Sequence, residues 1–125
     1  MHENDISFLI RKAIFKVFNT LGPGLFESVY VIALAYEIEL LGLTIKMQVA
    51  LPMVYEGIKF DAGFRIDLLV NDKVIIEVKS IENLVEVHHK QVLTYLRLSG
   101  LKLGILVNFN TNDISRSIIR KVNGL

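Results

Sequence analysis

Two acidic residues and a lysine, Asp67, Glu77 and Lys79, lie on a predicted pair of neighbouring β-strands. Side chains alternate along a strand, so Glu77 and Lys79 project from one face of theirs. Whether Asp67 joins them depends on the turn between the strands. A loop of three residues, 71–73, sets Asp67 directly opposite Glu77, whereas a two-residue turn sets the two carboxylates on opposite faces of the sheet. We predict the three-residue loop.

Two carboxylates opposed on a sheet repel each other and destabilise the strand pair. Hard divalent cations such as Mg²⁺ and Mn²⁺ prefer carboxylate oxygens as ligands, and a bound cation would remove the repulsion. Lys79 would then stand beside the same site, where an ammonium group can orient an attacking water or stabilise charge on a phosphate. The hairpin alone leaves a second interpretation open, a polar strand end that carries an ordinary surface Glu–Lys pair.

The elements that must position these residues follow from apolar spacing and turn signals. Helical spacing predicts helices over residues 4–20, 25–41 and 85–99. Continuous or alternating apolar residues predict strands over residues 44–49, 62–70, 73–80 and 103–109. Residues 114–122 fit a helix and a strand equally well. This order predicts a single α/β domain over residues 1–125, in which helices cover a mixed sheet.

Composition restricts the classes of function. The chain has no cysteine, which excludes disulfides, thiolate zinc sites and cysteine nucleophiles and fits the reducing cytoplasm. No apolar run reaches the roughly 18 residues that cross a bilayer, so we expect no membrane partner. The net charge of +1 gives no strong electrostatic footprint for nucleic acid. Hydrophobic residues make up 52% of the chain, and we expect the surplus apolar surface to be covered in a homo-oligomer, such as a dimer.

Four segments carry a family resemblance. Gly24-Leu25-Phe26-Glu27-Ser28-Val29-Tyr30 resembles the motif that names the GxxExxY proteins, a bacterial and archaeal family within the PD-(D/E)XK nuclease superfamily. Asp67 followed by Glu77-Val78-Lys79 is similar to the acidic residue and the Glu-x-Lys of that superfamily. Gln91-Val92-Leu93-Thr94-Tyr95 is similar to the Gln-x-x-x-Tyr helix of RecB-like members, and residues 103–109 look like the strand that follows it. The segments occur in the family's order, and the similarity covers nearly the whole chain.

The resemblance implies a three-layer α/β/α fold of the restriction-endonuclease type. It also implies metal-dependent cleavage of phosphodiester bonds in nucleic acid, with DNA as the expected substrate. In such enzymes Mg²⁺ or Mn²⁺ would be held by Glu27, Asp67 and Glu77, with the backbone carbonyl of Val78 as a further oxygen ligand. Lys79 would position the nucleophile.

Glu27 is the only charged residue between Leu21 and Tyr36, in a helix that otherwise looks buried. A buried, unpaired carboxylate is costly, so we expect a metal or a basic partner for it. The alternative is a first-turn glutamate favoured by the helix dipole. Tyr30 follows three residues later on the same helix face. Its hydroxyl could bind a catalytic carboxylate or the substrate, or the ring could simply pack in the core.

Gln91 and Tyr95 are four residues apart and share a helix face. The resemblance implies that Gln91 supports the site or contacts a phosphate, and that Tyr95 does likewise; the alternative for Tyr95 is a core residue. His88 and His89 are adjacent, so their side chains point about 100° apart on a helix and cannot both serve one site. We expect them to be surface or packing residues.

Two departures from the family pattern bear on function. Ile66, rather than proline, precedes Asp67, and we expect no appended DNA-binding module beside the single domain of residues 1–125. A second function therefore stays open, that of a non-catalytic nuclease-fold module which binds nucleic acid or a protein partner without cutting.

Overall fold

The computed structural model describes the backbone of all 125 residues and every side chain except those of Met53 and residues 60–63. The helices are α1 (Glu3–Leu21), α2 (Glu27–Leu40) and α3 (Glu86–Ser99). The strands are β1 (Ile45–Tyr55), β2 (Ile58–Val70), β3 (Val74–Lys79), β4 (Leu103–Asn108) and β5 (Ile118–Val122). The segment that fitted helix and strand equally well forms a short 3₁₀ turn, Ile114–Arg116, followed by β5. No helix in the described chain is long and apolar enough to span a membrane.

The five strands form one mixed sheet in the order β1-β2-β3-β4-β5. Neighbouring strands are antiparallel except β3 and β4, which are parallel and joined through α3. Buried residues of α1 and α2 pack on one face of the sheet, whereas those of α3 pack on the other. The expected three-layer α/β/α fold with a central mixed sheet is therefore confirmed.

The predicted three-residue loop between β2 and β3 is present. The pairing runs from Leu68 opposite Ile76 to Val70 opposite Val74, which leaves residues 71–73 in the loop. Asn71 and Asp72 have φ angles of 52° and 54°, a left-handed conformation that Asn and Asp tolerate better than most residues. The N–H of Lys73 closes the turn by donating to the Val70 carbonyl at 2.9 Å.

Beside Asp67 the regular alternation of side chains along β1 and β2 is interrupted, so that residues on either side of this point face opposite sides of the sheet. Pairing joins Met47 to Leu68 and Val49 to Ile66, and skips Gln48 and Asp67 between them. Leu68 belongs to the core under α1 and α2, but Ile66 belongs to the core under α3. Gln48 has a φ of 53°, a conformation outside the extended range of a strand. Beyond this point the hairpin of β1 and β2 therefore curves toward the α3 side of the sheet.

Close packing of α3 on the sheet depends on Gly104 of β4. A Cβ atom at this position would lie 2.6 Å from Cγ1 of Val92, on α3. Because real Cβ atoms do not approach a neighbour so closely, any larger residue here would force Val92, and α3 with it, to move. Gly104 thus permits the close approach to the sheet of α3, the helix that carries Gln91 and Tyr95.

Candidate active site

Asp67 and Glu77 are joined by reciprocal hydrogen bonds between side chain and backbone. The regular ladder of β2 and β3 ends at Leu68 and Ile76, one residue before this pair. The N–H of Val78 donates to Oδ2 of Asp67 at 2.9 Å, and the N–H of Asp67 donates to Oε1 of Glu77 at 3.1 Å. The carboxylates thus replace backbone carbonyls as acceptors, which holds both side chains close to the sheet.

Burial makes ionisation of this pair unfavourable. The pKa of Glu77 is raised to about 8, first by burial and then by the negative charge of Asp67. The pKa of Asp67 is also raised, mainly by burial, although the Val78 N–H and the Lys79 charge oppose the shift. A nearby cation favours the ionised form of both carboxyls and would therefore stabilise such a pair more than any neutral partner.

Lys79 lies on the same face as Glu77, as the strand alternation predicts. Its positive charge lowers the pKa of both Asp67 and Glu77. Among the described side chains it makes no ion pair within 4.0 Å, so its ammonium group stands near the carboxylates without being held by one.

A cavity of about 470 Å³ opens over this group. It is lined by Ala50, Pro52, Phe64, Arg65, Asp67, Glu77, Lys79, Gln91 and Tyr95. Two walls come from different elements: α3 supplies Gln91 and Tyr95, and the curved hairpin of β1 and β2 supplies Phe64 and Arg65. The rings of Phe64 and Tyr95 meet edge to face at 5.5 Å, which joins the two walls at their base.

Tyr95 is both a core and a cavity residue. Its side chain is almost fully buried in the core under α3. Burial, followed by the negative charges of Glu77 and Asp67, raises the pKa of its hydroxyl to about 12. The hydroxyl therefore stays protonated near neutral pH and remains a hydrogen-bond donor beside the carboxylates.

Glu27 lies at the edge of this group. Its Oε2 accepts a hydrogen bond from the N–H of Ser80 at 3.2 Å, just past the end of β3. Oγ of Ser80 donates in turn to the Leu25 carbonyl at 2.5 Å, so the start of α2 is fixed to the end of β3. The charge of Glu27 raises the pKa of Asp67, which places the two carboxylates within electrostatic reach.

Tyr30 is not brought into the cavity. Its ring is fully buried and stacks on Phe109 with centroids 4.4 Å apart. Its hydroxyl donates to the Gly22 carbonyl at 2.6 Å and accepts from the N–H of Leu25 at 3.2 Å. The hydroxyl therefore braces the loop that leads into α2, and the core interpretation, rather than contact with a carboxylate, describes its position.

The two histidines also lie outside the cavity. Nδ1 of His88 accepts a hydrogen bond from the N–H of Val85 at 3.0 Å and so caps the first turn of α3. Burial and the positive charge of Lys121 lower the pKa of His89, which lines a separate polar groove.

Two positioning features have no counterpart in the sequence-based prediction. Arg65 lines the cavity and donates to the Gln48 carbonyl at 3.3 Å. Asn108, a buried polar residue at the end of β4, exchanges two hydrogen bonds with the backbone of Ile81 and so fixes the loop after Lys79. An asparagine that ends an otherwise apolar strand is the only signal that could have pointed to this role.

The residues present suit a hard cation, although they do not form a complete cage. Within the described part of the chain, no three His, Cys, Asp or Glu side chains are grouped closely enough to hold a metal ion. Asp67 and Glu77 nevertheless each use only one carboxylate oxygen in these backbone hydrogen bonds, which leaves a second oxygen on each as a candidate ligand for a cation. The joint binding of one metal by Glu27, Asp67, Glu77 and the Val78 carbonyl stays a prediction.

Comparison with known proteins identifies the family. A model of the PD-(D/E)XK nuclease superfamily matches residues 4–121, which include every element that lines the cavity. Searches of curated proteins and of solved structures each found no significant match. Because the match spans almost the entire chain, the protein belongs to the PD-(D/E)XK nuclease superfamily.

Proposed function

We propose that the protein is a divalent-metal-dependent nuclease that hydrolyses phosphodiester bonds of nucleic acid, with DNA as the first substrate to test. Membership of a nuclease superfamily supports a nuclease-like function in general. The observation that carries the specific proposal is the grouping of Asp67, Glu77 and Lys79 at one cavity. The two carboxyls are joined through backbone hydrogen bonds, and the ammonium group has no ion-pair partner among the described side chains.

Asp67 and Glu77 would hold Mg²⁺ or Mn²⁺, and Glu27 would join them by turning from the Ser80 N–H. When bound, such a cation lowers the pKa of a coordinated water and neutralises charge on a phosphate. Lys79 would orient the attacking water and stabilise the negative charge that develops on the phosphate.

The cavity walls supply the remaining contacts. Arg65 can donate to a phosphate oxygen in a bidentate manner. Gln91 can donate its amide N–H groups, and Tyr95 its protonated hydroxyl, to the phosphate or to a water beside it. These groups come from a helix and a hairpin on opposite sides of the carboxylates, so a phosphodiester between them would be oriented from two directions.

The test is cleavage of plasmid and single-stranded DNA with Mn²⁺ by the wild type, Asp67→Ala and Lys79→Ala. Removing a metal ligand or a transition-state donor should lower cleavage by at least about a hundredfold. Asp5→Ala, at an exposed aspartate of α1, and Lys102→Ala, at an exposed lysine, are matched controls that should keep wild-type rates. Equal activity in all variants, or no cleavage by the wild type across broad conditions, would refute the proposal.

A module that binds without cutting is the second candidate. It is favoured by one observation, that Glu27, Asp67 and Glu77 each accept a backbone N–H, as purely structural carboxylates do. Titration calorimetry with Mn²⁺ separates the two functions. A non-catalytic module has no need of a metal-competent pair, so heat of Mn²⁺ binding that disappears in Asp67→Ala would favour the nuclease.

A further inference from the structure

The face of α2 that points away from the sheet is apolar. We call it the outer stripe; its residues are Phe26, Val29, Ile32, Tyr36, Leu40 and the adjacent Met47 of β1. Between 40% and 83% of each of these side chains is exposed. Successive members on the helix are three or four residues apart, so they form one continuous face. A helix that covers a sheet normally carries polar residues there.

The size of the outer stripe matches a protein interface. From Phe26 to Leu40 it advances by fourteen residues, which corresponds to about 21 Å at 1.5 Å per residue. With about 200 Å² for an aromatic side chain and somewhat less for an aliphatic one, the exposed fractions add up to roughly 600–800 Å². Monomers rarely expose a contiguous apolar patch of more than about 300–600 Å². A stable interface buries about 800 Å² of each partner.

The charges on α2 indicate which kind of partner covers the outer stripe. All three charged residues of α2, Glu27, Glu37 and Glu39, are acidic. These glutamates repel the phosphates of an anionic membrane and of nucleic acid, and α2 itself has no basic residue to anchor a lipid headgroup. Basic residues approach the outer stripe only at its Leu40 end, where Lys12 and Lys16 of α1 lie beside Glu37.

The outer stripe is also complementary to itself. In an antiparallel pair of α2 helices, Val29 of one copy lies over Tyr36 of the other, and the small side chain of Ala33 near the midpoint lets the helices approach closely. The glutamates then lie at the margins of the contact rather than opposite their own symmetry mates. An isologous arrangement of this kind is the commonest way in which soluble proteins associate.

We propose that the outer stripe is the interface of a homodimer in which two α2 helices pack antiparallel about a twofold axis near Ala33. None of its residues lines the cavity over Asp67 and Glu77, so the dimer does not depend on the proposed nuclease activity.

The first test is sedimentation equilibrium of the wild type, Ile32→Glu and Val87→Glu. The wild type should have twice the mass of the chain, and Ile32→Glu should weaken association at least about tenfold because it places a charge in the centre of the contact. Val87→Glu is the matched control, since Val87 is 63% exposed on α3, against 65% for Ile32. It should dimerise like the wild type, and circular dichroism should show that both variants are folded.

The second test uses the absence of cysteine from the chain. A single cysteine at Ala33→Cys lies near the proposed axis and should form a disulfide between two copies under mild oxidation. Phe8→Cys, on the exposed side of α1, should not. A monomeric wild type would overturn the proposal, and binding of that monomer to neutral vesicles would assign the outer stripe to a lipid surface. A dimer unaffected by Ile32→Glu and unlinked through Ala33→Cys would overturn it as well.

Discussion

Gln48 lies opposite Asp67 at the one position where the pairing of residues 45–51 with residues 64–70 is interrupted. At this point the side chains of both strands change from one face of the sheet to the other. The N–H of Asp67 is consequently directed to the Glu77 carboxylate. The left-handed φ of Gln48 is therefore linked to the geometry of the acidic pair. A non-glycine residue held in this conformation costs of the order of 1–2 kcal/mol, which the surrounding structure must supply.

We predict opposite responses to glycine and valine at Gln48. Gln48→Gly should raise the free energy of unfolding by up to about 1 kcal/mol, because glycine adopts a positive φ without strain. Gln48→Val should lower it by about 1–2 kcal/mol and weaken Mn²⁺ binding, because a β-branched residue resists this conformation. Urea unfolding and calorimetry measure the two effects. At Lys46, an ordinary position of the same strand, the order should reverse, with valine more stable than glycine. The same order at both positions would contradict the interpretation.

The acidic pair predicts how stability depends on pH in the presence of a chelator. The pKa of Glu77 is about 8 in the folded chain, against an ordinary value of 4.5, so the folded state binds more protons between these values. The stabilisation is thus complete below pH 4.5 and is lost as the pH rises toward 8. The raised pKa of Asp67 acts in the same direction.

The expected loss between these limits is roughly 2–4 kcal/mol in the free energy of unfolding. Glu77→Gln should remove most of the slope and should be more stable than the wild type at alkaline pH. Glu39→Gln, at an exposed glutamate, should leave the slope unchanged. A chelated wild type that becomes more stable as the pH rises through this range would show that Glu77 is charged in the folded protein.

Gly104 offers a test of the α3 position. Gly104→Ala forces its new Cβ against Val92 and should cost about 1–3 kcal/mol of stability. Because α3 must rise from the sheet, the substitution should also lower cleavage by displacing Gln91 and Tyr95. The double variant Gly104→Ala with Val92→Ala restores the space, and its recovery of both properties checks the steric cause. Recovery of neither would mean that another contact sets the height of α3.

Removing the Tyr30 hydroxyl tests whether this residue only stabilises the loop before α2 or also takes part in catalysis. Tyr30→Phe keeps the stacking on Phe109 but removes the hydroxyl that joins Gly22 to Leu25, so the free energy of unfolding should fall by about 1–2 kcal/mol. Under conditions where the variant is folded, the rate of DNA cleavage should match the wild type. Tyr55→Phe, at an exposed tyrosine, should change neither property. A large loss of cleavage at unchanged stability would instead show that Tyr30 acts in the active site.

The sequence of the hairpin alone was sufficient to predict the pairing of Asp67 with Glu77. A hairpin loop sets the register, and Asn71 and Asp72 are residues that accept the left-handed conformation which this loop uses. The α/β class with a mixed sheet followed from the order of helices and strands, and strand alternation placed Lys79 beside Glu77. The three-layer arrangement and the places of Gln91 and Tyr95 at the cavity were implied by the family resemblance.

Other features depend on contacts that no local pattern encodes. Glu27 lies at the end of β3 because Ser80 forms hydrogen bonds with the start of α2. These bonds join Ser80 to Glu27 and to Leu25, which are 53 and 55 positions away in the sequence. The left-handed Gln48 had no signal, since glutamine has no special preference for a positive φ. The strand predicted over residues 44–49 is longer in the structure: β1 continues to Tyr55, past Pro52 and a register shift between Leu51 and Met53, which an edge strand tolerates.

The closeness of Asp67 and Glu77 along the chain has a consequence for the order of assembly. A loop this short closes at little entropic cost, and isolated hairpins form in about 1–10 μs, well before distant helices dock. We therefore expect the two carboxyls to meet while water still surrounds them and both are ionised. Docking of α2 and α3 then removes that water, so the final stage of folding near neutral pH should take up a proton from solution. The raised pKa of this pair is therefore a property that the chain acquires last.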